Sequence, residues 1–320
     1  MTDMKICILD AETVTRDDVK LDKITGLGEA KVFGFTKNED IAKAIGDADA
    51  VICNKCLITE EVFSACKSLK YVGLFATGYN NIDLSAATRH GAVVCNVPSY
   101  SRDAVAQHTF AFILEYYSKI SQYIKMTAEG GWINYKLFSN FCIPTAEIAG
   151  KTIGIIGYGS IGRKVAAIAK AFSMNVITYT RSPKKVNDGT ECVELDELLK
   201  RADIVSLHCP LNADNAKMIN ERTLSLMKKT ALLVNTARGG LIDEPALSYA
   251  LKSGTIAAAC IDALTSEPMR EDCPLQGIEN CFITPHVAWA PRETRERLIE
   301  RVAENLKAWR DGRPINVVNI

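Results

Sequence analysis

The amino-acid sequence predicts an α/β protein of two domains, each built on a parallel sheet, with a cleft between the domains. Short apolar segments alternate with helical patterns along most of the chain, and such alternation builds parallel sheets. A glycine-rich motif, Gly157-Tyr-Gly-Ser-Ile-Gly162, begins only near the middle of the 320 residues. The roughly 150 residues before the motif exceed what the domain around it needs, so a second domain is expected.

The N-terminal part of the chain carries five predicted strands with helical patterns between them. The strands are residues 6–9, 31–35, 50–53, 71–75 and 92–96. Residues 38–45 and 59–65 each begin with a good N-cap residue and have acids in the first turn, as helices do. Residues 104–126 form one apolar-periodic stretch, which predicts a single long helix leading from one domain into the next.

The second half of the chain repeats the alternation. Its predicted strands are residues 152–156, 176–179, 204–207, 231–234, 257–261 and 281–283. Residues 291–309 then have a helical pattern with Pro291 in the first turn. Because a helix of this length needs a surface to pack on, we expect it to return to the first domain. The predicted domains are therefore residues 1–99 with 291–320, and residues 100–290.

The charge balance excludes two classes of partner. Lysine plus arginine and aspartate plus glutamate number 38 each, so no net field attracts nucleic acid or an anionic membrane. No apolar run approaches the length of a membrane span, and the first residues lack the basic and apolar segments of a leader. We expect a cytoplasmic protein that binds neither nucleic acid nor membrane.

The 11 cysteines are scattered, odd in number and often embedded in apolar strands. This usage is typical of buried thiols in a reducing compartment. Cys53 and Cys56 have the spacing of a redox or metal pair, but no second pair or nearby histidine completes a tetrahedral set. No metal site is expected.

The glycine-rich motif has the features of a dinucleotide-binding turn, since an apolar strand precedes it and a helical pattern follows it. Gly157 permits the tight turn, Gly159 lets the backbone approach a pyrophosphate, and Gly162 lets the helix pack against the strand. The helix N-terminus then directs N–H groups and partial positive charge at the phosphates. The other members of this predicted cofactor turn are Tyr158, Ser160 and Ile161.

Three polar residues follow the last three predicted strands, and they are Arg238, Glu267 and His286. The carboxyl ends of parallel strands meet at one edge, where open α/β sheets place their ligands. A guanidinium grips a carboxylate in bidentate fashion, while a carboxylate beside an imidazole orients it and favours its charged form. Among four histidines, His286 is therefore the candidate for proton transfer.

Six segments match the motifs of one family and occur in that family's order. They are residues 76–83, 157–162, 206–211, 232–243, 261–268 and 284–288. By these segments the chain resembles, over almost its full length, the D-isomer-specific 2-hydroxyacid dehydrogenases. The stretches around Asn54, residues 76–83 and residues 286–289 look most like glycerate dehydrogenases and hydroxypyruvate reductases.

The resemblance implies two Rossmann-like or flavodoxin-like domains and reversible hydride transfer between a nicotinamide and a small 2-oxo or 2-hydroxy acid. Hydroxypyruvate or glyoxylate is the substrate that it favours. It also implies that Arg238 binds the carboxylate and carbonyl of the 2-oxo acid. His286, tuned by Glu267, is then the general acid and base.

The resemblance further implies residues on the substrate side. Thr77, Gly78 and Tyr79 would receive the substrate carboxylate through backbone N–H groups, with a plain turn as the alternative. Lys55 either faces the cleft or is a solvated surface lysine. Trp289 either shapes the substrate pocket or packs near the domain junction.

More residues belong to the cofactor site by the same resemblance. They are Cys209, Pro210, Thr236, Ala237 and Asp262, together with Arg238 and His286. Asp262 matches the family's aspartate near the nicotinamide carboxamide.

The second strand of the predicted dinucleotide domain ends without the acid that NAD-preferring domains use to bind the ribose hydroxyls. Thr180 stands at that position, and Arg181 and Ser182 follow it. Without the negative charge a 2′-phosphate is not repelled, and Arg181 with Ser182 can hold it through charge-assisted hydrogen bonds. NADP(H) is therefore favoured, with NAD(H) as the alternative.

Two classes of alternative function remain. Transcriptional corepressors resemble this family and serve as nucleotide-sensing scaffolds, but they add extensions that are not evident here. Among the enzymes, phosphoglycerate, formate and phosphite dehydrogenases are the alternatives, although no second basic cluster for a substrate phosphate is evident. The family also implies a homodimer, formed through the dinucleotide domains and the helix that begins near Ala104.

Overall fold

The computed structural model describes residues 4–181, 186 and 188–319. The chain divides into two compact units, Met1–Ser101 with Trp289–Ile320, and Arg102–Ala288. Each unit has helices packed on its own parallel sheet. The predicted α/β class with two parallel sheets is confirmed.

The strands of the first unit are β1 (Lys5–Ile8), β2 (Glu29–Val32), β3 (Ala50–Cys53), β4 (Tyr71–Leu74) and β5 (Val93–Cys95). They form one parallel sheet in the order β2-β1-β3-β4-β5. Ile6 and Ile8 join the apolar core on one face, and Cys7 and Leu9 join the core on the other. Because both faces are covered, the central strands read as continuous apolar runs in the sequence.

The helices of the first unit are α1 (Asp22–Thr25), α2 (Ile41–Ile45), α3 (Glu60–Ala65), α4 (Leu84–Arg89) and α11 (Arg292–Arg310). The buried side of α11 includes Leu298 and Leu306, which lie in the same core as Ile6 and Ile8. The last helix of the chain therefore completes the first unit.

The strands of the second unit are β6 (Thr152–Ile156), β7 (Asn175–Tyr179), β8 (Glu191–Cys192), β9 (Ile204–Leu207), β10 (Leu232–Asn235), β11 (Ala258–Ile261) and β12 (Cys281–Ile283). They form a parallel sheet in the order β12-β11-β10-β9-β6-β7-β8. The chain adds β7 and β8 on one side of β6 and the later strands on the other. Such a reversal leaves a crevice at the carboxyl ends of the strands, where open α/β sheets bind ligands.

The helices of the second unit are α5 (Arg102–Ser118), α6 (Ile120–Ala128), α7 (Ser160–Ala171), α8 (Leu195–Arg201), α9 (Glu221–Ser225) and α10 (Glu244–Lys252). Side chains of α5 and α7 share a core with residues of β6, β9 and β10. This packing sets α7 directly behind the glycine-rich turn that follows β6.

The prediction of one helix over residues 104–126 is wrong. The helix breaks at Lys119, whose backbone is left-handed with φ 52° and ψ 36°, so α5 ends and α6 begins there. Ser121 turns back to hydrogen-bond the Glu115 carboxylate through its amide and its hydroxyl. The Lys119 ammonium lies 4.3 Å from the centre of the Tyr116 ring. These side-chain contacts stabilise a break that apolar periodicity does not encode.

No pattern in the sequence predicted β8, because two residues are too few to show a strand period.

Among the helices of residues 4–181, 186 and 188–319, none is both long and apolar enough to cross a membrane. Over those same ranges, no group of three or more His, Cys, Asp or Glu side chains is placed to hold a metal ion.

Candidate active site

The turn that follows β6 has the backbone geometry of a phosphate-binding loop. Gly157 has φ +96°, and a Cβ there would stand 2.6 Å from the Cys209 backbone nitrogen, so a side chain is excluded. A Cβ at Gly162 would stand 2.2 Å from the Gly157 carbonyl oxygen, which shows how closely α7 approaches the turn. A Cβ at Gly159 would meet no described atom within 4 Å, so the protein leaves room there.

The start of α7 provides partial positive charge that attracts an anion. Gly159 is the N-cap residue and Ser160 the first residue of this 12-residue helix. A helix start presents N–H groups and the positive end of the helix dipole to a phosphate. The open space at Gly159 and the helix start behind it therefore fit the pyrophosphate of a dinucleotide.

The side chain of Tyr158 serves the fold of this turn. Its hydroxyl lies 2.7 Å from Asp188 Oδ2 and 2.8 Å from Thr190 Oγ1. Burial raises the pKa of Tyr158, and the hydrogen bond from Tyr158 lowers the pKa of Asp188 to about 2. Ile161 packs against the core beneath α7. Tyr158 thus fastens the turn to the segment after β7.

Arg238, Glu267 and His286 lie in loops that follow three adjacent strands, β10, β11 and β12. The last residues of these strands are register partners, so the strands end at one level. Neighbouring strands are about 4.8 Å apart. The structure therefore brings the three loops to one edge of the sheet of the second unit.

His286 and Glu267 form a direct pair. His286 Nδ1 lies 2.8 Å from each oxygen of the Glu267 carboxylate, and Glu267 Oε1 also accepts the Leu264 amide at 3.0 Å. The His286 side chain is 26% exposed, so it remains accessible. Because Nδ1 is held by the carboxylate, Nε2 is the ring atom left to exchange a proton.

Arg238 lies in a tightly built loop. The Asn235 side chain accepts the Ala237 amide at 3.0 Å and donates to the Arg238 carbonyl oxygen at 2.9 Å. The half-buried Arg238 guanidinium donates to the Ala237 carbonyl oxygen at 2.7 Å. A Cβ at Gly239 would stand 2.0 Å from the Leu264 carbonyl carbon. The loop with Arg238 is thus pressed against the loop that follows β11.

Asp262 is 2% exposed and anchors the chain around the candidate histidine. Its Oδ1 accepts the Thr284 hydroxyl at 2.6 Å and the Val287 amide at 2.9 Å. Its Oδ2 accepts the Ala288 amide at 2.9 Å. Sequence reasoning missed this anchoring. The available signal was a carboxylate placed directly after an apolar strand.

The adenosine side of the predicted cofactor site lies after β7. Thr180 is the first residue beyond that strand, and Arg181 follows. The Arg181 guanidinium lies 3.9 Å from the Asp214 carboxylate, with side chains 66% and 86% exposed. An ion pair so exposed to water is weak and leaves the guanidinium available to a phosphate. Ser182 lies outside the described residues.

The other predicted cofactor residues follow strands of the same sheet. Cys209 and Pro210 come after β9, and Thr236 and Ala237 come after β10. Thr236 is buried, and its hydroxyl lies 3.1 Å from the Thr109 hydroxyl on α5. These positions follow β9 and β10, the two strands next in order to β6, at which the order of strands reverses.

The predicted substrate loop lies in the first unit and contains Thr77, Gly78 and Tyr79. The Thr77 hydroxyl donates to the Val97 carbonyl oxygen at 2.7 Å. The Thr77 carbonyl oxygen accepts the Asn96 side-chain amide at 2.7 Å. The start of the loop is therefore fixed by hydrogen bonds on two sides.

Lys55 and Trp289 also belong to the first unit. The Lys55 backbone amide donates to buried Asp10 at 2.7 Å, and Lys55 itself is exposed. The Trp289 ring packs edge-on against Tyr100, with ring centres 6.3 Å apart. Tyr100 is therefore a packing partner of Trp289, as the packing interpretation of this tryptophan requires.

The glycine-rich turn, the reversal of strand order at β6 and the pairing of His286 with Glu267 are the features of a nicotinamide-dependent oxidoreductase. Residues 110–288 match the sequence profile described as D-isomer specific 2-hydroxyacid dehydrogenase, NAD binding domain. The chain belongs to this family of dehydrogenases. The family predicted from the sequence motifs is thereby confirmed.

Two relatives match nearly the whole chain. The chain is 39% identical over 321 residues to a hydroxypyruvate reductase of Blautia hydrogenotrophica, covering 99% of this chain and 100% of the relative. It is 34% identical over 317 residues to a glycerate dehydrogenase of Methylorubrum extorquens, covering 98% of each protein.

Solved structures show the same fold. An acyclic imino acid reductase in complex with NADPH and D-Arg has a TM-score of 0.87 and 36% identity, over 98% of this chain and 100% of that one. An NADPH-dependent glyoxylate/hydroxypyruvate reductase from Sinorhizobium meliloti, in complex with NADP and malonate, has a TM-score of 0.86 and 26% identity. Those values cover 99% of this chain and 97% of that chain.

Proposed function

We propose that this enzyme reduces hydroxypyruvate or glyoxylate, acting as a glycerate dehydrogenase in the reverse direction. The observation that carries the proposal is the contact of His286 with Glu267, at the sheet edge where Arg238 also lies. This edge offers an acid, its carboxylate partner and a cation for a substrate carboxylate. The relatives named hydroxypyruvate reductase, glycerate dehydrogenase and glyoxylate reductase support the substrate class.

The reaction requires a proton transfer matched to a hydride transfer. When bound, the nicotinamide supplies the hydride to C2 of the 2-oxo acid. His286 gives a proton from Nε2 to the carbonyl oxygen, because Glu267 holds Nδ1. Glu267 also orients the ring through the contacts of its two oxygens with Nδ1. In the oxidation direction, Nε2 accepts the proton of the 2-hydroxyl.

Arg238 is assigned to the substrate carboxylate and to the carbonyl oxygen. One of its N–H groups is used by the Ala237 carbonyl oxygen, which fixes the side chain and leaves other donors for a substrate. A planar guanidinium forms two parallel hydrogen bonds to a carboxylate. Its charge also stabilises the negative charge that develops on the carbonyl oxygen.

The remaining site assignments are part of the same proposal. Substrate-binding roles are assigned to Lys55, Thr77, Gly78, Tyr79 and Trp289. Residues 1–99 with 291–320 are proposed as the substrate-binding domain, and residues 100–290 as the dinucleotide-binding domain. A cytoplasmic location is supported by the cysteines, since all of them lie within the described ranges and are free thiols.

NADP(H) is the proposed cofactor in preference to NAD(H). The residue directly after β7 is Thr180 and not an acid, so no carboxylate at this position repels a 2′-phosphate. Arg181 is exposed and only weakly paired, which leaves it available for that phosphate. The related structures with NADPH and with NADP agree with this choice.

A homodimer is the proposed assembly, formed through α5, α6 and the segment that follows. α6 has no buried residue, and Ile124 on it is 64% exposed. Beyond it, Ile133 is 73% exposed, Phe138 90% and Phe141 76%. Apolar side chains concentrated in one segment are typical of a protein interface.

A substrate panel tests the proposal. Purified protein is assayed with hydroxypyruvate, glyoxylate, pyruvate and 3-phosphohydroxypyruvate, each with NADPH and NADH. We expect hydroxypyruvate or glyoxylate with NADPH to give the highest kcat/KM. Tight nucleotide binding without turnover of any 2-oxo acid would instead support the nucleotide-sensing scaffold. Preference for the phosphorylated substrate would support phosphoglycerate dehydrogenase.

A further inference from the structure

A chain of hydrogen bonds runs from helix α5 to the segment that carries His286. On α5, His108 Nε2 lies 3.1 Å from the Thr284 hydroxyl oxygen. That hydroxyl donates to Asp262 Oδ1 at 2.6 Å. All of these residues belong to the second unit. The sequence indicated only that His108 lies within an apolar helix.

The direction of each hydrogen bond follows from the donors available. Thr284 has a single hydroxyl proton, and that proton is used in the hydrogen bond to the Asp262 carboxylate. The Thr284 oxygen must therefore accept from His108, which makes Nε2 of His108 a donor. Hydrogen bonds that point the same way polarise and strengthen one another. Two successive hydrogen bonds, from His108 to Thr284 and from Thr284 to Asp262, therefore point toward the Asp262 carboxylate.

Asp262 connects this chain of hydrogen bonds to the backbone next to His286. It accepts the Val287 and Ala288 amides at 2.9 Å each. His286 has φ +54°, in the left-handed region that residues with a Cβ rarely adopt. Such a conformation persists only when its surroundings fix it. The two amide bonds to Asp262 are the fixing contacts on the C-terminal side of His286.

The next residue of α5 makes a parallel contact to the neighbouring loop. The buried Thr109 hydroxyl lies 3.1 Å from the Thr236 hydroxyl, two residues before Arg238. One turn of α5 therefore touches the loop of the candidate base and the loop of the candidate carboxylate anchor. The two contacts are separable by mutation.

We propose that His108 is a positioning residue for proton transfer, acting through Thr284 and Asp262 to hold His286 in its left-handed conformation. The role rests on the proposed function, because it matters for turnover only if His286 moves the proton. The structural half of the proposal, the fixing of the His286 backbone, does not depend on turnover.

The test compares variants that remove the donor or the relay with variants that restore them. His108→Leu and Thr284→Val break the chain, whereas His108→Gln and Thr284→Ser keep a donor and a hydroxyl. Gln107→Ala is the matched control, because Gln107 is exposed on the same helix. Each protein is assayed for kcat and KM with hydroxypyruvate and NADPH, and for amide hydrogen exchange across residues 284–291.

We expect kcat to fall by about 10- to 100-fold in His108→Leu and Thr284→Val, because displacing an acid by about 1 Å costs up to that much. KM for the 2-oxo acid should change little, since the loop of Arg238 is held separately. The Val287 and Ala288 amides should lose protection in the same two variants. His108→Gln and Thr284→Ser should recover most of both properties, and Gln107→Ala should match the parent.

Normal kcat together with normal amide protection in His108→Leu would overturn the proposal. If the unmodified enzyme reduces no 2-oxo acid, the proposed function fails, and amide protection still decides whether His108 fixes the backbone. If His108→Leu does not fold, Thr284→Val gives the same comparison through the relay hydroxyl. A general loss of protection outside residues 284–291 would show a merely structural role and also count against the proposal.

Discussion

His286 Nδ1 lies 2.8 Å from both carboxylate oxygens of Glu267, so the imidazole is oriented by a symmetric contact with an anion. We predict that Glu267→Gln lowers the kcat for 2-oxo acid reduction by about 100-fold, within the range for loss of acid–base catalysis. Because glutamine keeps one oxygen acceptor for Nδ1 but carries no charge, this variant isolates the contribution of the carboxylate charge to kcat.

Steady-state assays with hydroxypyruvate and NADPH measure the effect on kcat. Glu271→Gln, an exposed carboxylate in the same unit, serves as the control. An unchanged kcat in Glu267→Gln would remove Glu267 from the mechanism. His286→Gln should abolish turnover while nucleotide binding stays near normal.

The two later glycines of the cofactor turn should respond differently to alanine. A Cβ at Gly159 meets no described atom within 4 Å, so Gly159→Ala should keep its thermal stability but weaken nucleotide binding. A Cβ at Gly162 stands 2.2 Å from a backbone oxygen, so Gly162→Ala should lower the melting temperature. Differential scanning fluorimetry with and without NADPH separates the cases. Equal melting temperatures for the two apo variants would contradict the prediction.

One added negative charge should shift the cofactor preference toward NADH. Thr180→Asp places a carboxylate after β7, which repels a 2′-phosphate and accepts hydrogen bonds from ribose hydroxyls. We predict that the ratio of kcat/KM for NADPH over NADH falls by about 10-fold or more, as for the loss of one charge-assisted contact. Arg181→Ala should lower the same ratio, and Arg270→Ala is an exposed control. If neither change alters the ratio, Thr180 and Arg181 do not determine the cofactor preference.

Stability at acid pH should depend on Glu60 in the first unit. Hydrogen bonds with His90 and then with Arg89 lower the pKa of Glu60 from 4.5 to about 2. A depressed folded-state pKa gives stability that is fully present above the unfolded value and lost as pH falls through the folded value. The melting temperature of Glu60→Gln should therefore lie below that of the parent at pH 6.

The gap between those two melting temperatures should close as the pH falls from 4.5 to about 2. Thermal melts at several pH values provide the measurement, with Glu39→Gln as a control that changes an exposed carboxylate in the same unit. A gap of constant size down to pH 2 would show that the charge of Glu60 contributes nothing.

The proposed dimer predicts an effect at Phe138, which is 90% exposed. Phe138→Ser should shift the sedimentation coefficient from dimer toward monomer, because a buried aromatic side chain contributes strongly to an interface. Phe35→Ser removes a 70% exposed phenylalanine from the first unit and should leave the assembly unchanged. A parent protein that sediments as a monomer at all concentrations would end the proposal.

The fold and the three strand-end residues were accessible from sequence because their signals are local. Apolar runs mark the strands, glycines mark the turn, and the order of strands places Arg238, Glu267 and His286 at one edge. The break at Lys119 was not accessible, since it depends on contacts of Glu115 with Ser121. The partners of Asp262 were also hidden, because the Thr284 hydroxyl and two later amides meet it only after the sheet forms.

The distribution of thiols has a practical consequence. Burial raises the pKa of Cys7, Cys56 and Cys281 to about 12 each, which suppresses the reactive thiolate. Within the described chain, Cys142 is the exposed cysteine, and it adjoins Phe141. A maleimide dye should therefore label Cys142 first in the separated protomer, giving a fluorescent reporter at the proposed dimer interface without any engineering of the sequence.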